Sequence, residues 1–254
     1  MAKHDSMWMP FAQELIVRIV SGHYPPDTMI PTETQLGAEF GVSRTVIREG
    51  TRVLSDKGLL ISRRGLGTRV LPATAWRTFD PDILAARLEH GDREVVLREV
   101  LVLRRSIEPE LAARAAVLCD ESDLASLSEL MDVMKDACAD PQRYRELDAQ
   151  FHARVAELGR NSLLRDVTRF LEHPVSIQRD LTNRLPGAST KITHKQHDAI
   201  FRGILARDEQ AARAAMLEHI QSAEQRLDRA LTRETSAPPS SGPPSSGPRS
   251  SARD

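Results

Sequence analysis

The stretch Gly41-Val42-Ser43-Arg44-Thr45-Val46-Ile47-Arg48-Glu49 decides how the first third of the chain folds. Gly41 stops one helix, and Ser43 starts another, because a serine hydroxyl can accept from a backbone N–H that the first helical turn leaves without a partner. A helix opening at Ser43 turns Val46, Ile47, Val53 and Leu54 inward and ends at Lys57-Gly58. Upstream, Thr32 and Gln35 have the spacing of a capping box with Pro31 just before them, so a helix opens there and runs to Phe40. Two helices therefore meet at a tight glycine turn. Arg44 and Arg48, four residues apart, share one face of the second.

Outward from this pair, residues 8–20 carry Phe11, Leu15, Ile16 and Ile19 at the spacing of one helical face. That helix ends at Ser21-Gly22, and Tyr24-Pro25-Pro26-Asp27 makes a turn because proline lacks a backbone donor. On the other side come Leu59 to Ser62 and Thr68 to Leu71, two β-prone runs around Arg63-Arg64-Gly65-Leu66-Gly67, which read as a hairpin. The expectation for residues 8–72 is a winged helix-turn-helix, with this hairpin as the wing. A formal net charge of −1 excludes a uniformly basic coat, yet residues 41–72 hold seven basic side chains against two acidic ones.

Residues 73–82 break the periodicity and read as a linker, with Trp76 and Phe79 packing onto one domain or the other. From 83 to 233 every periodic segment is helical, with helices near 83–90, 94–119, 121–138, 141–159, 161–184, 189–206 and 208–233. Asp120, Asp140 and Asn161 are N-caps, Gly159 and Pro186-Gly187 are breakers, and Pro174 should kink or shorten its helix. The fold class is mainly α, a winged helix-turn-helix joined to an antiparallel helical bundle. Residues 236–254 repeat Pro-Pro-Ser-Ser-Gly and read as a disordered tail. Cys119 and Cys138, without CxxC spacing, read as buried free thiols. No secretory leader pattern and no apolar run of ~18 residues stands in the sequence, so the expected location is the cytoplasm.

Residues 8–71 resemble the GntR-type winged helix-turn-helix. The residues that carry the resemblance are Tyr24-Pro25-Pro26-Asp27, Ile30-Pro31-Thr32-Glu33, Val42-Ser43-Arg44-Thr45-Val46-Ile47-Arg48-Glu49 and Gly58-Leu59-Leu60 followed by Arg63-Arg64-Gly65-Leu66-Gly67. The resemblance implies a transcriptional regulator that binds double-stranded operator DNA, with Ser43, Arg44, Thr45, Arg48, Arg64, Gly65 and Gly67 at the interface. Arginines near the start of such a helix can make paired hydrogen bonds to guanine in the major groove, and glycines let a wing approach the backbone. Arg52 and Lys57 read equally well as solvated surface. Thr34 stands where related sequences often place an arginine that touches DNA.

Residues 90–230 resemble the FCD effector-binding domain of the FadR subfamily. The carrying motifs are Arg104-x-x-x-Glu108-Pro109, Asp148-x-x-x-His152, Gly159-Arg160-Asn161-Ser162-Leu163-Leu164, and His197-Asp198-Ala199-Ile200 followed by His219. In many such domains an aspartate and three histidines hold a divalent metal, and the matching positions are Asp148, His152, His197 and His219. Asp148 and His152, at i and i+4, lie one above the other on a helix, as two ligands of one ion require. Imidazole and carboxylate suit zinc foremost, with nickel, manganese or iron as alternatives. The resemblance further implies a homodimer and a small carboxylate effector, a sugar acid or organic acid, with Arg104 and Asn161 as its contacts. An ion pair with Glu108 on the helix surface is the other reading of Arg104. Two alternatives stand beside this one. A metal-dependent enzyme could use the same residues, though no His-Glu-x-x-His places a general base beside them. An acyl-thioester-responsive regulator is the other, in which the metal ligands are typically lost.

Overall fold

The computed structural model describes residues 8–185 and 189–236. The Pro186-Gly187 breaker, and all of the expected tail except Ser236, lie outside the described residues.

The N-terminal unit is built as its caps and periodicity dictate. Helix α1 (Trp8–Val20) buries Phe11, Leu15, Ile16 and Ile19 against α3 (Arg44–Asp56). Helix α2 (Glu33–Phe40) opens on a reciprocal capping box between Thr32 and Gln35 and stops at Gly41, which sits at φ +66°. That left-handed turn is strained for any residue with a Cβ, so glycine there sets the angle at which the chain re-enters helix. Strands β1 (Leu60–Arg63) and β2 (Gly67–Val70) pair antiparallel, with Leu60 opposite Val70. The segment before α2 adds to this hairpin through Ile30 N–H to Thr68 O at 3.0 Å and Val70 N–H to Thr28 O at 2.9 Å.

The remaining helices form a bundle. They are α4 (Pro81–His90), α5 (Arg93–Leu118), α6 (Glu121–Asp136), α7 (Pro141–Leu158), α8 (Ser162–Phe170), α9 (Glu172–Asn183), α10 (Thr190–Leu205) and α11 (Glu209–Ser236). The long pair α5 and α11 packs most extensively, with α10 against α11 and α7 against α5. The single helix expected over 161–184 is two, divided at Leu171, three residues before Pro174. Proline in the first turn of α9 costs no hydrogen bond, whereas inside a continuous helix it would remove one. Helix α10 turns into α11 at Arg207, which has φ +58°. There the missing Cβ of Gly203 lets the helices close: a Cβ would lie 2.5 Å from Ala212 N.

Two cores result, and α4 serves both. Ile83 and Ala86 are buried in the N-terminal core, while Leu84 and Leu88 are buried in the bundle core. The aromatic pair before it divides likewise. Trp76 packs on the N-terminal core and donates Nε1–H to Leu71 O at 3.0 Å, and the Phe79 ring lies 5.2 Å from that of Phe170. Cys119 is a buried free thiol; Cys138 is free but only half-buried, a correction to the expectation for it. No helix among the described residues is long and apolar enough to cross a membrane.

Candidate functional site

Two constellations occupy opposite units. In the first, Ser43 caps α3, its hydroxyl accepting from Val46 N–H at 3.4 Å. Ser43, Arg44, Thr45 and Arg48 are all exposed at the start of that helix. Arg48 Nε lies 3.1 Å from Glu33 Oε2, and among the described residues no ion pair engages Arg44. Arg52 is tied to Glu49 and Asp56 of its own helix at 2.9 and 3.3 Å, the surface role open to it in the sequence. Lys57 is not solvated surface. Its side chain is 16% exposed and its ammonium pairs with Asp80 and, at 2.9 Å, with Asp82. In the hairpin turn Gly65 and Gly67 have φ of +78° and +89°, and Arg64 beside them is exposed. A row of exposed donors near a helix N-terminus, beside an exposed basic turn, suits a phosphate backbone and the base edges between its strands.

The second constellation lies inside the bundle. Asp148 and His152 come from α7, His197 from α10 and His219 from α11. All four are buried, and one ligand atom from each lies within 4.8 Å of the others. The imidazole centroids are 4.6 Å apart for His197 and His219, and 5.1 Å for His152 and His219.

Each ring has a neighbour on its Nδ1 side. His152 Nδ1 lies 2.8 Å from Glu108 Oε2, His197 Nδ1 lies 3.0 Å from the Tyr144 hydroxyl, and His219 Nδ1 lies 3.2 Å from Gln196 Oε1. Each ring therefore has Nε2 left for a metal. His152 Nε2 is buried without a hydrogen-bond partner among the described residues, whereas His197 Nε2 lies 3.1 Å from Asp148 Oδ1 and Asp148 Oδ2 meets the Arg179 guanidinium. A buried polar atom without a partner is costly unless something else binds it. A divalent ion fits, since one carboxylate oxygen and three imidazole nitrogens are a common donor set for such an ion.

The surrounding charges agree. Burial alone would raise the Asp148 carboxyl, but the Arg179 guanidinium beside it and the His197 ring hold it well below the usual carboxylate range. Burial opposes ionisation of Glu108 too, and Arg104 and His152 overcome it. His219 is pushed well below its ordinary value by burial and by the neighbouring His197 and His152. His152 is lowered by burial against the pull of Glu108. Charged carboxylates and neutral imidazoles are the protonation states that metal binding requires.

The cluster separates two cavities. A larger one of about 530 Å³ meets His152, Glu108, Arg104 and Arg179; a smaller one of about 50 Å³ meets Asp148, His219, Arg104, Arg179 and Arg226. Arg104 reaches both, and its pair with Glu108, at 2.5 and 3.2 Å, is buried rather than on the helix surface. Asn161 caps α8, accepting from Leu164 N–H at 3.1 Å, and lines neither cavity. Sequence reading missed Tyr144, Glu108, Gln196, Arg179 and Arg226 as parts of the site. Tyr144 had a signal, since it falls four residues before Asp148 on the stripe that continues to His152.

Comparison with known proteins bears on both constellations. The family model described as bacterial regulatory proteins, gntR family, matches residues 11–70, and that of the FCD domain matches residues 99–222. The chain is 31% identical over 214 residues to the uncharacterized HTH-type transcriptional regulator YieP of Escherichia coli (strain K12), covering 84% of this chain and 91% of that protein. It is 31% identical over 213 residues to the galactonate operon transcriptional repressor of the same organism, covering 83% of this chain and 92% of that protein. Among solved structures, that of Lar, which controls the expression of the Listeria monocytogenes agr system, superposes with a TM-score of 0.53 at 17% identity. The match covers 87% of this chain and 96% of that one, and it speaks to the fold alone.

Proposed function

The chain belongs to the gntR family of bacterial regulatory proteins and carries an FCD domain, and from that premise we propose that its bundle holds one divalent metal ion and senses a small sugar acid. The family fixes the broader role: this is a DNA-binding transcriptional regulator and not an enzyme. The observation that carries the finer reading is the buried cluster in which one ligand atom from each of Asp148, His152, His197 and His219 lies within 4.8 Å of the others, beside a cavity.

In this reading Asp148, His152, His197 and His219 hold the ion, zinc foremost. Tyr144 and Gln196 accept from the Nδ1–H groups of His197 and His219 and so fix those tautomers, and the Glu108 carboxylate stands 2.8 Å from His152 Nδ1. The ion supplies a Lewis-acid anchor for a carboxylate. Arg104 and Arg179 add guanidinium donors beside it, because arginine and carboxylate form paired, charge-assisted hydrogen bonds. The galactonate operon repressor among the relatives favours a sugar acid over other small carboxylates.

At the other end Arg44 and Arg48 reach into the major groove, Ser43 and Thr45 meet phosphate, and Arg64 with Gly65 and Gly67 forms the wing contact. The regulator acts in the cytoplasm as a homodimer on two half-sites, since one module makes too few base contacts for useful specificity. The acid shifts the DNA-competent equilibrium only through unequal affinity for the two states.

The test is elemental analysis of purified protein joined to a thermal-shift screen of aldonic acids. The reading expects one divalent ion per chain, lost in His152→Ala, and a rise in melting temperature with at least one acid, because a ligand that binds the native state stabilises it. Metal absent from protein that still responds to the acids would overturn the metal assignment; no response to any acid would overturn the effector class.

A further inference from the structure

The small cavity beside Asp148 and His219 is not closed. It shares Thr182, Asn183, Thr193 and Arg226 with a wider cleft of about 530 Å³ between the ends of α9, α10 and α11. Arg226 stands at the junction. It is half-buried, it donates to the Ser222 hydroxyl at 2.7 Å, and no carboxylate lies within ion-pair distance among the described residues. Arg229 and Arg233 continue the same lining outward, also without a carboxylate partner there. Asp228, the acidic residue of that wall, is engaged by Arg98.

His219, Ser222, Arg226, Arg229 and Arg233 succeed one another at intervals of three and four, so they form one stripe along α11. His219 and Arg226 are about 10 Å apart along the axis. That is more than one carboxylate spans, but within reach of a short sugar-acid chain once the arginine side chain is counted. Two further atoms point to an extended polar occupant. Gln178 Oε1 and Arg145 Nε are buried without partners, and both residues line the inner cavity; Gln178 is 2% exposed. An acceptor and a donor left open there suit hydroxyl groups along the chain.

We propose, resting on the metal-held carboxylate of the preceding reading, that the effector carries a second anionic group at the far end of a hydroxylated chain, and that Arg226 and Arg229 receive it. The inner cavity takes the metal-bound carboxylate and its neighbouring hydroxyl. The outer cleft takes the rest. The larger cavity on the His152 side is less suited to a dianion, because Arg104, Arg154, Arg165 and Arg179 on its wall are each already paired with a carboxylate and leave Arg169 as its one basic side chain without such a partner among the described residues. A terminal carboxylate and a terminal phosphate present the same chemistry to a guanidinium, so the probes must separate them.

Isothermal titration of the metal-loaded protein with three matched classes of acid does this: gluconate and galactonate as monoanions, glucarate and galactarate as dicarboxylates, and 6-phosphogluconate as a phosphorylated acid. The expected result is that one dianion class binds about tenfold or more tightly than the monoanions, as one additional charge-assisted pair would give. Which class does so names the terminal group. In Arg229→Ala that preference should fall to less than about twofold while monoanion affinity is kept, and in Arg226→Gln, whose side chain also lines the inner cavity, the ratio of dianion to monoanion affinity should fall to the same level. Arg169→Ala, on the wall of the larger cavity, should leave the preference intact. Equal affinity for monoanions and dianions, or a preference that survives both α11 variants, overturns the proposal and leaves the sugar-acid reading standing. Binding of no acid at all overturns both.

Discussion

At the scale of single residues, the bundle site depends on which ring nitrogen each histidine presents. Tyr144 lies 3.0 Å from His197 Nδ1 in a position that is 4% exposed. Tyr144→Phe should therefore weaken metal binding by about 10-fold, the lower end of what loss of an outer partner does, without removing a ligand. Competition against a chelating dye measures this, and affinity equal to wild type would dismiss Tyr144 from that role. In the other unit, Arg44 is exposed and in no ion pair among the described residues, so Arg44→Ala should leave the melting temperature unchanged. It should cost about 1–3 kcal/mol of operator affinity and relax one base preference, as read by anisotropy against substituted operators. Asp148 and His152 were legible in the sequence through the family resemblance, with which their four-residue spacing on one helix face agrees. Glu108 and Gln196 were not, because nothing in the sequence tells which faces of α5 and α10 meet α7 and α11. Arg104 shows the same limit: its pairing with Glu108 was one of two readings, and its burial was in neither.

Among elements, caps and breakers carried most of the readable information. The capping box at Thr32, the N-caps at Ser43, Asp120, Asp140 and Asn161, and the stop at Gly41 all appear in the structure where their side-chain chemistry places them. The division of 161–184 at Leu171 is the event that Pro174 announced, with the break falling at the near end of its first turn. What spacing could not supply is the approach of α10 to α11. Gly203 follows His197 by six residues and faces Ala212, seven before His219, so this contact sets how far apart the two ligand-bearing turns stand. Gly203→Val forces these backbones apart. It should destabilise the bundle by about 1–3 kcal/mol, as overpacking does. It should also weaken metal binding, whereas operator affinity without effector should change far less. Metal affinity unchanged in a destabilised Gly203→Val would show that the ligand turns are positioned by other contacts.

For the whole molecule, the question is how the bundle proposed to bind an acid reaches the helix proposed to enter DNA. Lys57, the C-cap of α3, pairs with Asp80, and Asp80 is itself the N-cap of α4, accepting from Asp82 and Ile83 N–H at 3.0 and 3.2 Å. Helix α4 then buries Ile83 and Ala86 in one core and Leu84 and Leu88 in the other. The sequence showed apolar residues in this helix but not that they divide between two partners, which is why it read as part of the bundle alone. Lys57→Ala should bind the acid and the operator each with near wild-type affinity while the effect of one on the other shrinks, since coupling is a free energy separate from either binding step. Full coupling in that variant would show that the signal takes another route. The most direct measurement of the account as a whole is operator affinity for the metal-loaded wild type and for His152→Ala, each titrated with and without the best-binding sugar acid. The account predicts that the acid shifts wild-type affinity about tenfold or more, within the usual range of allosteric coupling. The variant should bind the same DNA and ignore the acid. An equal shift in both proteins would contradict it.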